Sequence, residues 1–215
     1  MEDALRAARF GSRMVFLEGA AGTGKTRLAS LVARSAIEQG FIVLAGRCTD
    51  PPHQAYQPIA TAIEWISRTS PAVLLRAGID EQCGPLARLA PSLAASPLAL
   101  SVPPAADPLA DRYQMLASLR TLVRRLTDVR PVLLVIDDLH WATNESIEMI
   151  HSLNHDSEGL SLLILVTARP VAADSDAVAV RGLRRLAAES RPLALGALSE
   201  QDVVQALAAA RGPGQ

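Results

Sequence analysis

Lysine is all but missing from this chain: of 21 basic residues, Lys25 alone is lysine and the rest are arginine. Aromatic residues are nearly as scarce, at 3% of 215 residues, so a core drawn from the 49% apolar fraction has to be filled by Leu, Val, Ile and Ala. The net charge of −1 supplies no bulk basic field for nucleic acid or an anionic membrane. Cysteine is limited to Cys48 and Cys83, far apart and without C-x-x-C spacing. That excludes a cysteine zinc site and a disulfide framework, and implies reduced thiols. No apolar run approaches the ~20 residues of a membrane span, and no apolar segment follows a basic N-terminal region. The expectation is a cytoplasmic protein with no membrane contact.

What is present begins at Met14-Val15-Phe16-Leu17, an apolar run that leads into Gly19-Ala20-Ala21-Gly22-Thr23-Gly24-Lys25-Thr26 and then a helical segment. This is the G-x-x-x-x-G-K-[ST] pattern of a phosphate-binding loop. The glycines let the backbone turn its N–H groups inward around a phosphate, and the following helix N-terminus adds donors and partial positive charge. Lys25 supplies the full charge at the β- and γ-phosphates, and the Thr26 hydroxyl one Mg²⁺ ligand. Gly19, Ala20, Ala21, Gly22, Thr23, Gly24, Lys25, Thr26 and Arg27 are therefore the expected nucleotide-binding residues. The only lysine falls where a compact point charge suits a phosphate cradle. An Asn-Lys-x-Asp guanine reader has no lysine left to use, which favours ATP over GTP.

Periodicity predicts a short helix over Glu2–Phe10, a strand over Arg13–Glu18, and a helix over Thr26–Gln39 with Leu28, Leu31, Val32 and Ser35 on one face. A second strand is expected over Phe41–Ala45. Helices follow over Ile59–Ser67 and Val73–Ile79, then a Pro/Ala/Ser-rich insertion over residues 91–108 without periodicity. Leu109–Thr127 reads as a helix burying Leu116, Leu119, Val123 and Leu126. Pro131–Ile136 is a buried strand, Thr143–His155 a helix capped by Thr143 or Asn144, and Leu160–Thr167 another buried strand. Asp176–Glu189, Arg191–Leu195 and Ser199–Ala209 read as helix, strand and helix. The alternation of strands and helices is that of an α/β protein with right-handed parallel crossovers.

Ligands of such sheets bind at the carboxyl ends of the strands. Val132–Ile136 ends in Asp137-Asp138, a Walker B pattern. Asp137 at the strand tip is expected to hold Mg²⁺ with Thr26, and Asp138 to orient or deprotonate the attacking water. Leu163–Val166 ends in Thr167-Ala168-Arg169, where Thr167 is expected to bond that water and Arg169 to sense the γ-phosphate.

The run Asp137-Asp138-Leu139-His140-Trp141-Ala142, with the loop, Gly46-Arg47-Cys48 and Thr167-Ala168-Arg169, resembles the signal-transduction ATPases with numerous domains. Within them it is most similar to the ATPase modules of large bacterial LuxR-type (MalT-like) transcriptional regulators. The resemblance implies a P-loop NTPase core with an AAA-like sheet of five parallel strands in the order 5-1-4-3-2, flanked by helices. It implies ATP/ADP and Mg²⁺ as cofactors, slow hydrolysis that switches a larger protein, and self-association or intramolecular regulatory domains as partners. Such modules usually begin with a Gly-Arg-Glu segment for the base, which Met1 follows, and continue into lid helices beyond Gln215. The core is accordingly expected over residues 1–197, and the start of a lid over residues 198–215.

Two other functions fit the pattern: a non-catalytic interaction module that keeps ADP, and an origin-recognition-like ATPase associated with DNA. The near-neutral charge predicts no direct nucleic-acid contact from this segment. A small-molecule kinase lacks an acceptor site. His151 and His155 stand four apart on one helix, and without a third ligand in view they are expected to sit on a solvated face. Arg184 and Arg185 are expected to be surface charges, and His140 and Trp141 to pack around the Walker B turn.

Overall fold

The candidate site residues lie at or just after the carboxyl ends of the first, third and fourth strands, so strand order decides what meets there. A computed structural model describes residues 1–51, 55–70, 76, 78–95, 107–170 and 177–196. Helix α1 (Glu2–Ala8) leads into β1 (Arg13–Gly19), α2 (Lys25–Glu38), β2 (Ile42–Arg47) and α3 (Gln57–Thr69). A 3-10 stretch (Glu81–Arg88) and a single turn α4 (Ser92–Ala95) precede the long α5 (Pro108–Val129). Then come β3 (Val132–Asp137), a 3-10 turn (Leu139–Trp141), α6 (Asn144–His155), β4 (Leu162–Ala168), α7 (Val178–Glu189) and β5 (Arg191–Leu195).

The five strands form one parallel sheet in the order β2-β3-β4-β1-β5. This is the expected 5-1-4-3-2 order read from the opposite edge. Because side chains alternate along a strand, each strand divides its apolar residues between two layers. Met14, Phe16, Leu134, Ile136, Ile164 and Val166 face the larger core, with residues of α3, the Glu81–Arg88 stretch, α5, α6 and α7. Val15, Leu17, Leu133, Val135, Leu163 and Leu165 face the smaller one, under α1 and α2. The central strands are apolar on both sides, as a covered parallel sheet requires. Each fully buried Leu, Val or Ile among them contributes roughly 1.5–3 kcal/mol.

Several local expectations need correction. Helix α2 begins at Lys25, and its buried stripe is Lys25, Ala29, Val32 and Ala36, while Leu31 is 51% exposed. The lysine must pass under the loop, and that sets the helix rotation; alanines then let the helix lie close to the sheet. Helix α5 runs from Pro108 to Val129 because Asp107 caps it, accepting from the Leu109 N–H. Its buried face takes Leu122 beside Leu119, Val123 and Leu126, with Leu116 half-buried. Thr143 caps α6 as expected, accepting from the Ser146 N–H. Strand β4 starts at Leu162, after a turn in which the Leu160 N–H donates to Ser157 O at 3.0 Å.

The Glu81–Arg88 stretch was not anticipated. Pro85 and Gly84 hide its periodicity, yet Cys83, Leu86 and Ala87 are buried in the larger core. The predicted Val73–Ile79 helix lies largely outside the described residues. So do most of the 91–108 insertion, the first residue of the Asp176–Glu189 helix and all of Ser199–Ala209 with the 198–215 lid.

Candidate functional site

The loop after β1 is built from backbone. Gly24 caps α2 with a φ of 88°, a left-handed conformation that glycine adopts without steric cost. Gly19 is required for a different reason: a Cβ there would lie 2.7 Å from Leu195 O and 2.7 Å from Thr23 Oγ1. Thr23 braces the turn by donating its hydroxyl to Ala20 O at 2.9 Å. The first intrahelical bond of α2 runs from the Leu28 N–H to Gly24 O, so the N–H groups of residues 24–27 precede the helical ladder. Lys25 is 6% exposed, and its ammonium donates to Gly19 O at 2.8 Å and Ala20 O at 2.7 Å. An ammonium has three donors, so one remains for a phosphate oxygen.

The turn after β3 is built from side chains. Asp137 Oδ1 accepts from the Thr167 hydroxyl at 2.6 Å, and Oδ2 from the Thr26 hydroxyl at 3.0 Å. Asp138 adopts a φ of 58°, and its N–H donates to Thr167 Oγ1 at 2.9 Å. Thr167 is fully buried and its single proton is spent on Asp137. The expectation that Thr167 bonds the attacking water is corrected: it locks the two acids to each other. Arg47 closes the group, with Nη2 3.1 Å from Asp138 Oδ2 and Nε 3.7 Å from Asp137 Oδ2. Its side chain is 63% exposed, so the pair is screened by solvent.

Arg47 was noticed in the sequence but given no role. The register holds the signal that finds it. Arg47 pairs with Asp137 across β2 and β3, and Thr167 follows the last β3–β4 pair, Ile136 with Val166. Once β3 lies between β2 and β4, its acidic tip has to meet both neighbours.

A cavity of about 290 Å³ lies over the loop, lined by Ala21, Gly22, Gly24, Lys25, Thr26, Arg27, Asp138 and Arg169. The residues expected from three strand ends thus share one space. Gly19, Ala20 and Thr23 support it from outside its lining. Asp137 lies in the adjoining groove between α2 and α3, which Thr26 also lines. The Arg169 guanidinium sits 5.7 Å from the centre of the Trp141 ring, and the Arg169 backbone N–H donates to His140 Nδ1 at 3.3 Å. His140 and Trp141, expected to pack around the Walker B turn, also hold the Arg169 segment. Burial is the main reason the His140 imidazole is held below its usual pKa, and Arg169 and Lys25 add to it against the opposing pull of Asp138. The Cys48 thiol, buried beside the acids, is pushed up to about 12 by burial and then by Asp138 and Asp137.

The family model described as AAA ATPase domain matches residues 1–166. The chain belongs to that family. No curated protein matches it. Among solved structures, Drosophila ORC bound to DNA is similar with a TM-score of 0.53 at 11% identity, over 97% of this chain and 49% of that one. AMPPCP-bound DnaA from Aquifex aeolicus gives 0.47 at 13%, over 97% and 48%. The Aeropyrum pernix ORC2 protein in its ADP form gives 0.47 at 17%, over 97% and 51%. The chain spans about half the length of each, and at these identities the likeness concerns the fold.

Within this AAA ATPase domain, the residues present suit a hard cation. A hydroxyl and a carboxylate, Thr26 and Asp137, lie within hydrogen-bond distance and offer only oxygen donors. Among the described residues, no helix is long and apolar enough to cross a membrane.

Proposed function

We propose that this AAA ATPase domain is a regulatory switch that binds ATP with Mg²⁺ and hydrolyses it slowly, within a larger signalling or transcriptional protein. The observation that carries the reading is the shared cavity, in which Lys25, Thr26, Asp138 and Arg169 converge over a helix N-terminus. Residues Gly19 to Arg27 hold the triphosphate, with Lys25 on the β- and γ-phosphates. Thr26 and Asp137 would hold Mg²⁺, which supplies positive charge to the phosphate oxygens. Asp138 orients or deprotonates the attacking water, and Arg169 meets the γ-phosphate. The Arg47 contact occupies one oxygen of Asp138, which suits slow turnover more than a fast enzyme.

The closer kinship, to LuxR-type (MalT-like) regulators, rests on the Asp137–Ala142 run and on Thr167-Ala168-Arg169. In this reading residues 1–197 are the core, 198–215 begin the lid, and the domain works in the cytoplasm through self-association or intramolecular contacts.

The test measures Mg·ATP binding and phosphate release on the same protein. Tight binding with slow release, lost in Asp138→Ala while binding persists, supports the switch. Release no faster than in Asp138→Ala would make the domain the alternative, an ADP-holding interaction module. DNA affinity that falls steeply with salt would instead place it with DNA-associated ATPases.

A further inference from the structure

The sequence offers two histidines four residues apart on α6 and no partner for them. The fold supplies one from another helix. Glu189, the last residue of α7, lies with its Oε2 2.9 Å from His151 Nε2 and 3.1 Å from His155 Nε2. Among the described residues this is the one group of three or more His, Cys, Asp or Glu whose ligand atoms all lie within 4.8 Å of one another.

We propose that His151, His155 and Glu189 form a binding site for a divalent transition-metal ion, with Zn²⁺ the best match. Two imidazoles and one carboxylate are the donor set of three-ligand zinc sites, which leave a fourth position open. Tetrahedral bonds of about 2.1 Å hold donors about 3.4 Å apart, close to the separations already present.

An ordinary ion pair explains the group less well. Its two rings lie 4.5 Å apart between centroids, so two imidazolium charges would repel each other across one carboxylate. The buried His151 Nε2 lies 2.9 Å and the His155 Nε2 3.1 Å from the same Oε2, so one carboxylate oxygen faces two ring nitrogens. The other carboxylate oxygen is already oriented: Arg185 Nε donates to Glu189 Oε1 at 3.1 Å, leaving Oε2 to the histidines. Such an outer partner is what fixes a metal-ligating carboxylate. The His155 side chain is 56% exposed and gives an ion access, while that of His151 is 15% exposed.

The site differs from the nucleotide site in chemistry and in place. It ties the end of α6 to the end of α7, next to the first residue of β5, whereas the phosphate loop lies at the carboxyl ends of the strands. An ion here would staple the helix that follows the Walker B turn to the helix that leads into the edge strand.

The test titrates ZnCl₂ into the full chain by calorimetry, and CoCl₂ with visible absorption to report coordination. One equivalent is expected to bind, to raise the melting temperature and to give the intense absorption of four-coordinate cobalt. His155→Ala and Glu189→Gln should each weaken binding by ~10-fold or more and remove the thermal shift. Their metal-free melting temperatures show whether the variants are folded. Asp137→Asn should keep the cobalt signal, which separates this site from the proposed Mg²⁺ site. No binding by the unsubstituted chain would overturn the proposal, as would binding unchanged in either ligand variant, or lost in Asp137→Asn.

Discussion

The two turns that make the proposed nucleotide site solve the same problem in different materials. The turn after β1 uses glycines, main-chain donors and one lysine held by the carbonyls of Gly19 and Ala20. The turn after β3 uses a side-chain network: Thr26 and Thr167 on Asp137, Thr167 again on the Asp138 N–H, and Arg47 across both acids. A backbone cradle depends on conformation and withstands most side-chain changes. A side-chain network depends on every member and can be opened by moving one. The first suits the proposed grip on a phosphate, the second the proposed change between states.

The comparison breaks most visibly at Asp138. Asp138→Asn keeps the shape of the network and removes the proposed base, so turnover should fall by about 10²–10⁴-fold with ATP affinity intact. Phosphate release under saturating Mg·ATP measures it. Thr167→Val is nearly isosteric; it takes from Asp137 Oδ1 its shorter donor, leaving the Thr26 hydroxyl at 3.2 Å, and leaves the Asp138 N–H without its partner. It should cost roughly 1–3 kcal/mol in urea denaturation and impair turnover while sparing nucleotide affinity.

Arg47→Ala sharpens the contrast in the opposite direction. It frees Asp138, and basal hydrolysis should rise. Because Arg47 is mostly exposed, the gain is bounded at about 0–1 kcal/mol, or up to about fivefold in rate. A fall in rate would show instead that Arg47 assists the reaction.

The smallest effect concerns pH. The His140 imidazole titrates lower in the folded chain than the usual value of about 6.5, so the unfolded chain takes up a proton first. Stability should be complete above about pH 6.5 and decline as pH drops toward the folded value. His140→Gln should flatten that part of a stability–pH curve.

The same contrast explains what was legible beforehand. The phosphate loop can be read letter by letter, because its glycines, lysine and threonine are contiguous and each answers to a local rule. Asp137 and Asp138 can be read for the same reason, as the end of an apolar run. Strand order came from the family resemblance, and the sheet bears it out. The wiring of the second turn was not legible residue by residue: Arg47 and Thr167 lie 90 positions before Asp137 and 30 after it. They meet only because β3 runs between β2 and β4. Thr167 was misread as a water ligand because its burial is a property of the sheet.

The face of α2 was misread likewise, since its rotation obeys Lys25 before it obeys leucine. Glu189 went unnoticed beside the histidines because the packing of α7 on α6 brings it there. Contiguous motifs survive in a sequence; constellations drawn from three elements need the register.

The central claim, that the loop grips a triphosphate through the chain's single lysine, is tested most directly by calorimetric titration of Mg·ATP into Lys25→Ala beside the unsubstituted chain. Loss of a charge-assisted contact worth about 1.5–3 kcal/mol predicts affinity lower by roughly 10–150-fold. Equal affinity in the two proteins would contradict it.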